Sequence, residues 1–357
     1  MISKINICKS FNKKIVLVTG HTGFKGSWLS FILSIFGAKV IGISLKDNYK
    51  RSMINYLYGR QIVHKEFFFN ICDNVKLKKV LIKYKPNFIF HLAAQSLVKT
   101  GFDDPLKTWN SNLIGTVNIL NNLRFMRKIV AVIVTSDKCY KNVETYRGYK
   151  ESDILFGSDP YSASKSSAEI AFKSFCESFL NKKTHRVASA RAGNVVGGGD
   201  FSENRLIPDI YKAVFLKKKL KIRSIKSTRP WQHVLEPVFG YMTLAYNLRS
   251  DKNTSHNSYN FGPSKNSQYS VKNVLQYIKI FWKFKITKNR KSIKIKESKL
   301  LHLNSTKALR VLGWKTCLNF RQTLQYTIDW YNEYKNNKKN IYNFTEKQIM
   351  HYLKKNN

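Results

Sequence analysis

A short apolar strand running straight into three spaced glycines constrains this chain most. Lys14-Ile-Val-Leu-Val-Thr19 is apolar and β-branched, which predicts a buried parallel strand. Gly20-His-Thr-Gly23-Phe-Lys-Gly26 follows at once, and Trp28 to Phe36 then reads as an apolar helix. Glycines at this spacing let the backbone turn sharply and approach a pyrophosphate at a helix N-terminus. Gly20, Gly23, Phe24 and Gly26 are therefore candidate dinucleotide-binding positions. A tight turn without a ligand would use the same glycines, but the strand before and the helix after favour the nucleotide.

The alternation continues. Strands are predicted at Lys39 to Leu45, Phe67 to Ile71, Phe88 to Leu92, Ile129 to Thr135 and Arg186 to Ala190. Helices are predicted at Val75 to Tyr84, stopped by Pro86, at Asn112 to Leu123, and at Pro160 to Phe179. Repeated β–α units imply a doubly wound parallel Rossmann sheet. The glycine-rich segment Gly197-Gly-Gly-Asp200 breaks the rhythm. The expected division is a nucleotide-binding domain over 1–192, to which segments near 231–261 return. A smaller mixed α/β lobe for the substrate follows over 193–335, then a Lys/Asn-rich tail over 336–357. Thr345-Glu-Lys-Gln348 has the pattern of a capping box, which predicts the start of a terminal helix there.

Tyr161-Ser-Ala-Ser-Lys165 opens the long helix. Residues four apart share a helix face. An ammonium beside a phenol favours the ionised form, and tyrosine otherwise titrates near ~10. The pair thus makes a base for a sugar hydroxyl while a nicotinamide takes the hydride. Chance alone often places Tyr four residues before Lys in a chain with 19 Tyr and 63 Lys plus Arg. The glycine loop upstream is what gives this pair its weight.

Composition removes other classes. No apolar run approaches the ~20 residues that span a bilayer, and no secretory signal is visible. Cys8, Cys72, Cys139, Cys176 and Cys317 are scattered, without paired spacing or clustering with histidine. That predicts a reducing cytoplasm and no metal site. Cys139 reads as packing, and His91 and His233 as structural histidines. A net charge of +42 invites a nucleic-acid reading. The basic residues are spread along the whole chain, however, and a basic field also draws in a nucleotide diphosphate.

Gly20-x-x-Gly23-x-x-Gly26, Asn70-Ile71, His91-Leu-Ala-Ala94, Asn112 and Tyr161-x-x-x-Lys165 together resemble the extended short-chain dehydrogenase/reductases. Within them, Thr135-Ser-Asp-Lys138 is similar to the nucleotide-sugar 4,6-dehydratases, and Ser136-Asp137-Lys138 to their CDP-glucose branch. Thr228-Arg-Pro-Trp-Gln-His-Val-Leu-Glu-Pro237, Asn204-Arg-Leu-Ile-Pro-Asp209 and Arg191-Ala-Gly-Asn194 agree with that branch. The likeness runs from about Asn12 to Tyr331.

The resemblance implies NAD as cofactor and CDP-glucose as substrate. Tyr161, helped by Lys165, would take the C4 hydroxyl proton, and Ser136 would hold the C4 oxygen. Asp137 would be the acid towards C6. Lys138 would stand where other branches place a glutamate base, although a lysine must first lose a proton it normally keeps to about 10.4. Asn70 and Ile71 would frame the adenine, with Asn70 in place of the family's Asp, and Leu92, Ala93 and Ala94 would line the cofactor. Asp47 would hold a ribose hydroxyl, while Lys46 beside it leaves NADP open. Gln95, Asn194, Arg205 and Arg229 would meet the nucleotide sugar, the arginines through forks suited to phosphate. A homodimer and a place in deoxysugar supply for lipopolysaccharide O-antigen are further implications. Two rivals stay open: an epimerase or reductase of the same superfamily, and a basic nucleic-acid-binding protein on a Rossmann scaffold.

Overall fold

The structure, a computed structural model, describes residues 3–46, 52–57, 61–222, 225, 227–263, 268–288 and 300–355. Asp47 lies outside these residues. β1 (Ile15–Thr19), β2 (Lys39–Ser44), β3 (Lys65–Phe68), β4 (Phe88–His91), β5 (Ile129–Val134) and β6 (His185–Ala192) belong to one sheet, closed at its edge by Ser258–Phe261. The spatial order is Ser258–Phe261, β6, β5, β4, β1, β2, β3. Every pairing in it is parallel. This is the doubly wound order, reversing between β1 and β4.

The central strands β1, β4 and β5 are buried on both faces and are mostly apolar, whereas the edge strand β3 is partly exposed and carries Lys65 and Glu66. Val130, Val132 and Val134 of β5 enter one core, with Trp28, Phe31 and Leu235. Ile129, Ala131 and Ile133 enter the other, with Leu77, Ile119 and Phe172. Helices Phe24–Ile35 and Leu235–Ser250 thus cover one face, and Asn74–Tyr84, Gly115–Leu123 and Pro160–Ser178 the other. The smaller lobe joins short helices to three two-stranded pairs, among them Thr228–Pro230 with Gln268–Ser270. No described helix is long and apolar enough to cross a membrane, and all five cysteines are free.

Three expectations differ in detail. The third strand ends at Phe68, before Asn70-Ile71. Asn70 instead folds back, its Oδ1 accepting from the Cys72 N–H at 3.0 Å, and turns the chain into the helix capped by Asp73. The helix expected from Asn112 begins as a π-type turn, Asn110–Ile114, and is regular only from Gly115. A side chain at Gly115 would meet Ile71 Cγ2 at 2.5 Å, so only glycine fits that approach.

The terminal helix starts at Ile341, a turn earlier than the Thr345 pattern predicts. Thr345 is buried inside it, where its hydroxyl donates to the Ile341 carbonyl at 2.6 Å and accepts from Trp330 Nε1 at 2.9 Å. A threonine so engaged has no role as a cap. The helix docks on Glu236, which accepts from the Cys317 and Leu318 N–H groups at 2.9 and 2.7 Å and from the Tyr352 hydroxyl at 2.9 Å. Lys4, in the first helix, donates to the Lys355 carbonyl at 2.7 Å.

Candidate active site

One large cavity, about 890 Å³, opens where the C-terminal ends of β1, β4, β5 and β6 meet the smaller lobe. Open parallel sheets place their ligands on this side. Its floor begins with the glycine loop. Gly20 adopts φ +73°, and a side chain there would sit 2.8 Å from the Ala93 nitrogen. A side chain at Gly26 would sit 2.0 Å from the Gly20 carbonyl oxygen. Gly23 starts helix Phe24–Ile35 with no side-chain cap. The result is a close-packed backbone turn at an uncapped helix N-terminus, which fits a pyrophosphate. Gly20, Gly23, Phe24, Gly26, Leu92 and Ala94 line the cavity. Ala93 contributes its backbone N–H, donated to Thr19 Oγ1 at 3.2 Å.

Ser136 follows β5 and caps a short turn over Asp137–Cys139. It donates to Asp137 Oδ1 at 3.0 Å and accepts from the Lys138 N–H at 3.2 Å, and its hydroxyl draws the pKa of the Tyr161 phenol downward. Asp159 caps the catalytic helix through the Ser162 N–H, and Pro160 occupies its first turn. That places Tyr161 and Lys165 on the turn facing Ser136, and both line the cavity with Asp137 and Lys138.

Electrostatics divides these groups. Burial pushes the Asp137 carboxyl above its ordinary range, against the pull of Lys138, Ser136, Lys25 and Arg229. Burial raises the Tyr161 phenol to about 12, with the Ser136 hydrogen bond pulling the other way. Burial lowers Lys165 to about 8, opposed by Glu169. Among the main influences on the phenol, the cation is Arg205 rather than the expected Lys165. Lys165 instead answers chiefly to Glu169, one turn further along the same helix.

Beneath the cavity lies a buried network the sequence did not announce. Arg191 Nη2 meets Glu169 Oε2 at 2.6 Å, and both side chains are shut off from solvent. Glu169 also accepts from Thr135 and, at 2.9 Å, from Ser189. Arg191 Nη1 donates to the Tyr140 hydroxyl at 2.7 Å, and that hydroxyl donates to Asn260 Oδ1 at 2.8 Å. The network joins the catalytic helix to β5, β6 and the edge strand.

The remaining predicted residues divide. Asn194, Arg205 and Arg229 line the cavity. Arg205 bridges the two lobes, donating to Asp200 Oδ2 and to Ser96 Oγ, each at 3.0 Å. Gln95 does not line it. Its amide donates to the Leu97 carbonyl and to Thr108 Oγ1, both at 2.9 Å, and accepts from the Leu97 N–H, so the side chain is spent on its own loop and on helix Pro105–Trp109. Asn112 holds that loop from below through the Gln95 N–H at 2.8 Å and reaches Ser164 on the catalytic helix at 2.9 Å. Ser96, next along, faces the cavity instead. Asn70 and Ile71 stand at the C-terminal end of β3, outside the cavity lining.

His91 bonds Thr19 through Nδ1 at 2.8 Å and Thr116 through Nε2 at 3.2 Å, and burial holds it neutral, near 3. The long Arg-Pro-Trp-Gln-His motif is mostly a bracket. Trp231 Nε1 donates to the Tyr269 carbonyl at 2.8 Å, and Gln232 donates to the Phe261 carbonyl at 3.0 Å. His233 packs edge-on to Trp28 and Tyr326. Among the described residues no group of three metal-ligating side chains occurs.

Known proteins resemble this chain over nearly its whole length. A CDP-glucose 4,6-dehydratase of Salmonella typhimurium is 36% identical over 329 residues, covering 89% of this chain and 90% of that protein. An epimerase from Methanothermobacter thermautotrophicus superposes with a TM-score of 0.79 at 22% identity, over 96% of this chain and 97% of that one. A dTDP-glucose 4,6-dehydratase of Bacillus anthracis, in complex with NAD, superposes with a TM-score of 0.74 at 21% identity, over 92% and 99%. At such identities the two structures speak for the fold. The GDP-mannose 4,6 dehydratase family matches residues 17–327, and with a relative this similar along nearly the whole chain, the protein belongs to that family.

Proposed function

We propose that this chain converts CDP-glucose to CDP-4-keto-6-deoxyglucose and water, with NAD as cofactor. The observation that carries the reading is Asp137: an enclosed carboxyl, raised by burial, bonded by Ser136 at 3.0 Å in the cavity that Tyr161 also lines. A simple epimerase has no leaving hydroxyl and no use for such an acid. The CDP-glucose preference rests on the Salmonella typhimurium relative.

NAD, held over the Gly20, Gly23 and Gly26 loop, would supply a reversible hydride store between C4 and C6, so that no outside reductant is consumed. The protein's residues manage the protons. Tyr161 accepts the proton of the C4 hydroxyl, with Ser136 holding the same oxygen. The C4 ketone acidifies the C5 hydrogen; Lys138, at the strand end, would remove that proton and return one to C5 once C6 has taken the hydride. Burial pushes the Asp137 carboxyl up from its ordinary range and so favours the protonated form, and Asp137 would give that proton to the departing C6 hydroxyl. Lys165 lines the same cavity and would assist Tyr161. Arg205, Arg229 and Asn194 receive the nucleotide diphosphate beside the uncapped helix Leu206–Phe215.

Incubation with CDP-glucose, dTDP-glucose, UDP-glucose and GDP-mannose, followed by mass spectrometry, tests this directly. Loss of one water from CDP-glucose alone, with no net NADH, is expected. Loss from another sugar nucleotide would keep the chemistry and overturn the base. No loss from any would end the dehydratase reading. Lys138→Ala is expected to cut dehydration by about 10²-fold or more, while C4 oxidation, followed by reduced nicotinamide in a single turnover, persists. Unchanged dehydration would remove Lys138 from the mechanism.

The same reading carries a homodimer, a cytoplasmic location and deoxysugar supply for a surface polysaccharide. Support for the dimer is that Phe102, Leu106 and Ile170 stand exposed on helices Val98–Asp103, Pro105–Trp109 and Pro160–Ser178. Sedimentation as a single 41.6 kDa chain would overturn it.

A further inference from the structure

The glycine loop carries a lysine that the dehydration reading has not used. Lys25 lies between Phe24 and Gly26 and lines the cavity. Its own helix buries every residue from Gly26 to Leu33, so an apolar side chain would be the ordinary occupant here. A cation placed there must be held by something. Lys25 Nζ donates to the Tyr241 hydroxyl at 3.3 Å and stands 5.9 Å from that ring's centroid. Tyr241 is fully buried on helix Leu235–Ser250 and is neutral, since burial and Asp137 both push its phenol up. The tether therefore fixes the ammonium without cancelling its charge.

The charge that Lys25 answers to is Asp137. Burial lowers Lys25 to about 8, and the largest opposing influence is the Asp137 carboxylate, with Arg205 and Lys165 adding repulsion. Lys25 in turn stabilises the ionised form of Asp137, alongside Lys138 and Arg229. Gly193 leaves the carboxyl room, since a side chain there would approach Asp137 Oδ2 to 3.1 Å. These partners face Asp137 from different segments. Lys138 is its chain neighbour, Arg229 comes from the smaller lobe, and Lys25 comes from the nucleotide loop.

We propose that Lys25 is a positioning residue for the elimination step, tethered by Tyr241 and serving as countercharge to the Asp137 carboxylate left when Asp137 gives up its proton. The inference rests on Asp137 as the acid. While it holds its proton, the carboxyl gains little from Lys25. Afterwards it is an anion in a dry cavity, and a fixed cation lowers its energy without any reorganisation. Lys25 thus acts on the second half of the reaction and leaves C4 oxidation to Ser136 and Tyr161.

The test has two arms. In protein carrying ¹³C-carboxyl aspartate and no sugar nucleotide, the Asp137 signal, assigned by Asp137→Asn, is followed through a pH titration. Lys25→Met is expected to move its midpoint up by about 1 unit or more, as loss of a nearby opposite charge does. Lys25→Arg is expected to restore it, and Tyr241→Phe to move it part of the way. In single turnovers with CDP-glucose, Lys25→Met is expected to accumulate reduced nicotinamide that wild type does not. An unmoved Asp137 midpoint in both Lys25→Met and Tyr241→Phe would overturn the proposal, whatever the turnover shows. Should wild type dehydrate no sugar nucleotide, the functional reading fails, while the titration still decides whether Lys25 and Asp137 are coupled.

Discussion

Tyr161→Phe is expected to slow dehydration of CDP-glucose by about 10²–10⁴-fold, the usual contribution of a placed base. Binding of the nucleotide sugar should change little, because the ring stays and only the hydroxyl is lost. Stability should fall by no more than about 1 kcal/mol, the worth of one hydrogen bond. The pH profile is the sharper check. Burial raises the phenol to about 12. A base works deprotonated, so the wild-type rate should climb with pH along a limb below that value, drawn down by whatever positive charge enters with the cofactor. The variant should lose this limb. A variant that keeps both the limb and the rate would show that another group takes the C4 proton.

The second large effect concerns stability. Arg191→Met leaves Glu169 buried without its cation, and a broken buried pair costs about 3–5 kcal/mol. Urea unfolding should show that loss. Arg191→Met with Glu169→Leu should recover much of it, because no uncompensated charge then remains. Acid should act in the same direction on wild type. Burial pushes Glu169 up, but Arg191 and the hydrogen bonds from Arg191, Thr135 and Ser189 outweigh it, leaving the carboxyl below its ordinary value. A depressed carboxylate stabilises fully above the unfolded pKa near ~4.3 and loses that stabilisation as pH falls through the folded one. The stability of Glu169→Gln should therefore respond less to pH in that acid range. Equal acid sensitivity in both proteins would place the titrating group elsewhere.

The strands and the nucleotide loop were legible because each depends on local pattern. A fully buried parallel strand must be apolar, so β5 reads off Ile129 to Val134 directly. The loop is legible because Gly26 cannot be anything larger. Tyr161 and Lys165 were legible as helix neighbours, yet their electrostatic division was not. That Lys165 answers to Glu169 depends on where Arg191 arrives from another strand. Gln95 and Thr345 misled for one shared reason. Each polar side chain has good local partners, Leu97 and Thr108 in one case, Ile341 and Trp330 in the other. Pattern gives a residue's type, and only the fold tells whether its hydrogen bonds are already taken. Lys25 escaped notice in a chain with so many lysines, since its distinction is the Tyr241 hydroxyl 216 positions away.

The edge strand Ser258–Phe261 has a consequence for synthesis. β6 ends at Ala192, and its outer neighbour follows about 70 residues later. At about 5–20 residues per second, a ribosome needs roughly 4–14 s to deliver it. Throughout that interval β6 offers an unpaired ladder, and helix Leu235–Ser250, which covers one apolar face of the sheet, is absent for most of it. The nascent nucleotide-binding half is therefore an open template while the smaller lobe is being made. Its yield in a cell should depend on elongation rate and on chaperones that shield a strand edge, more than on the stability of the finished enzyme.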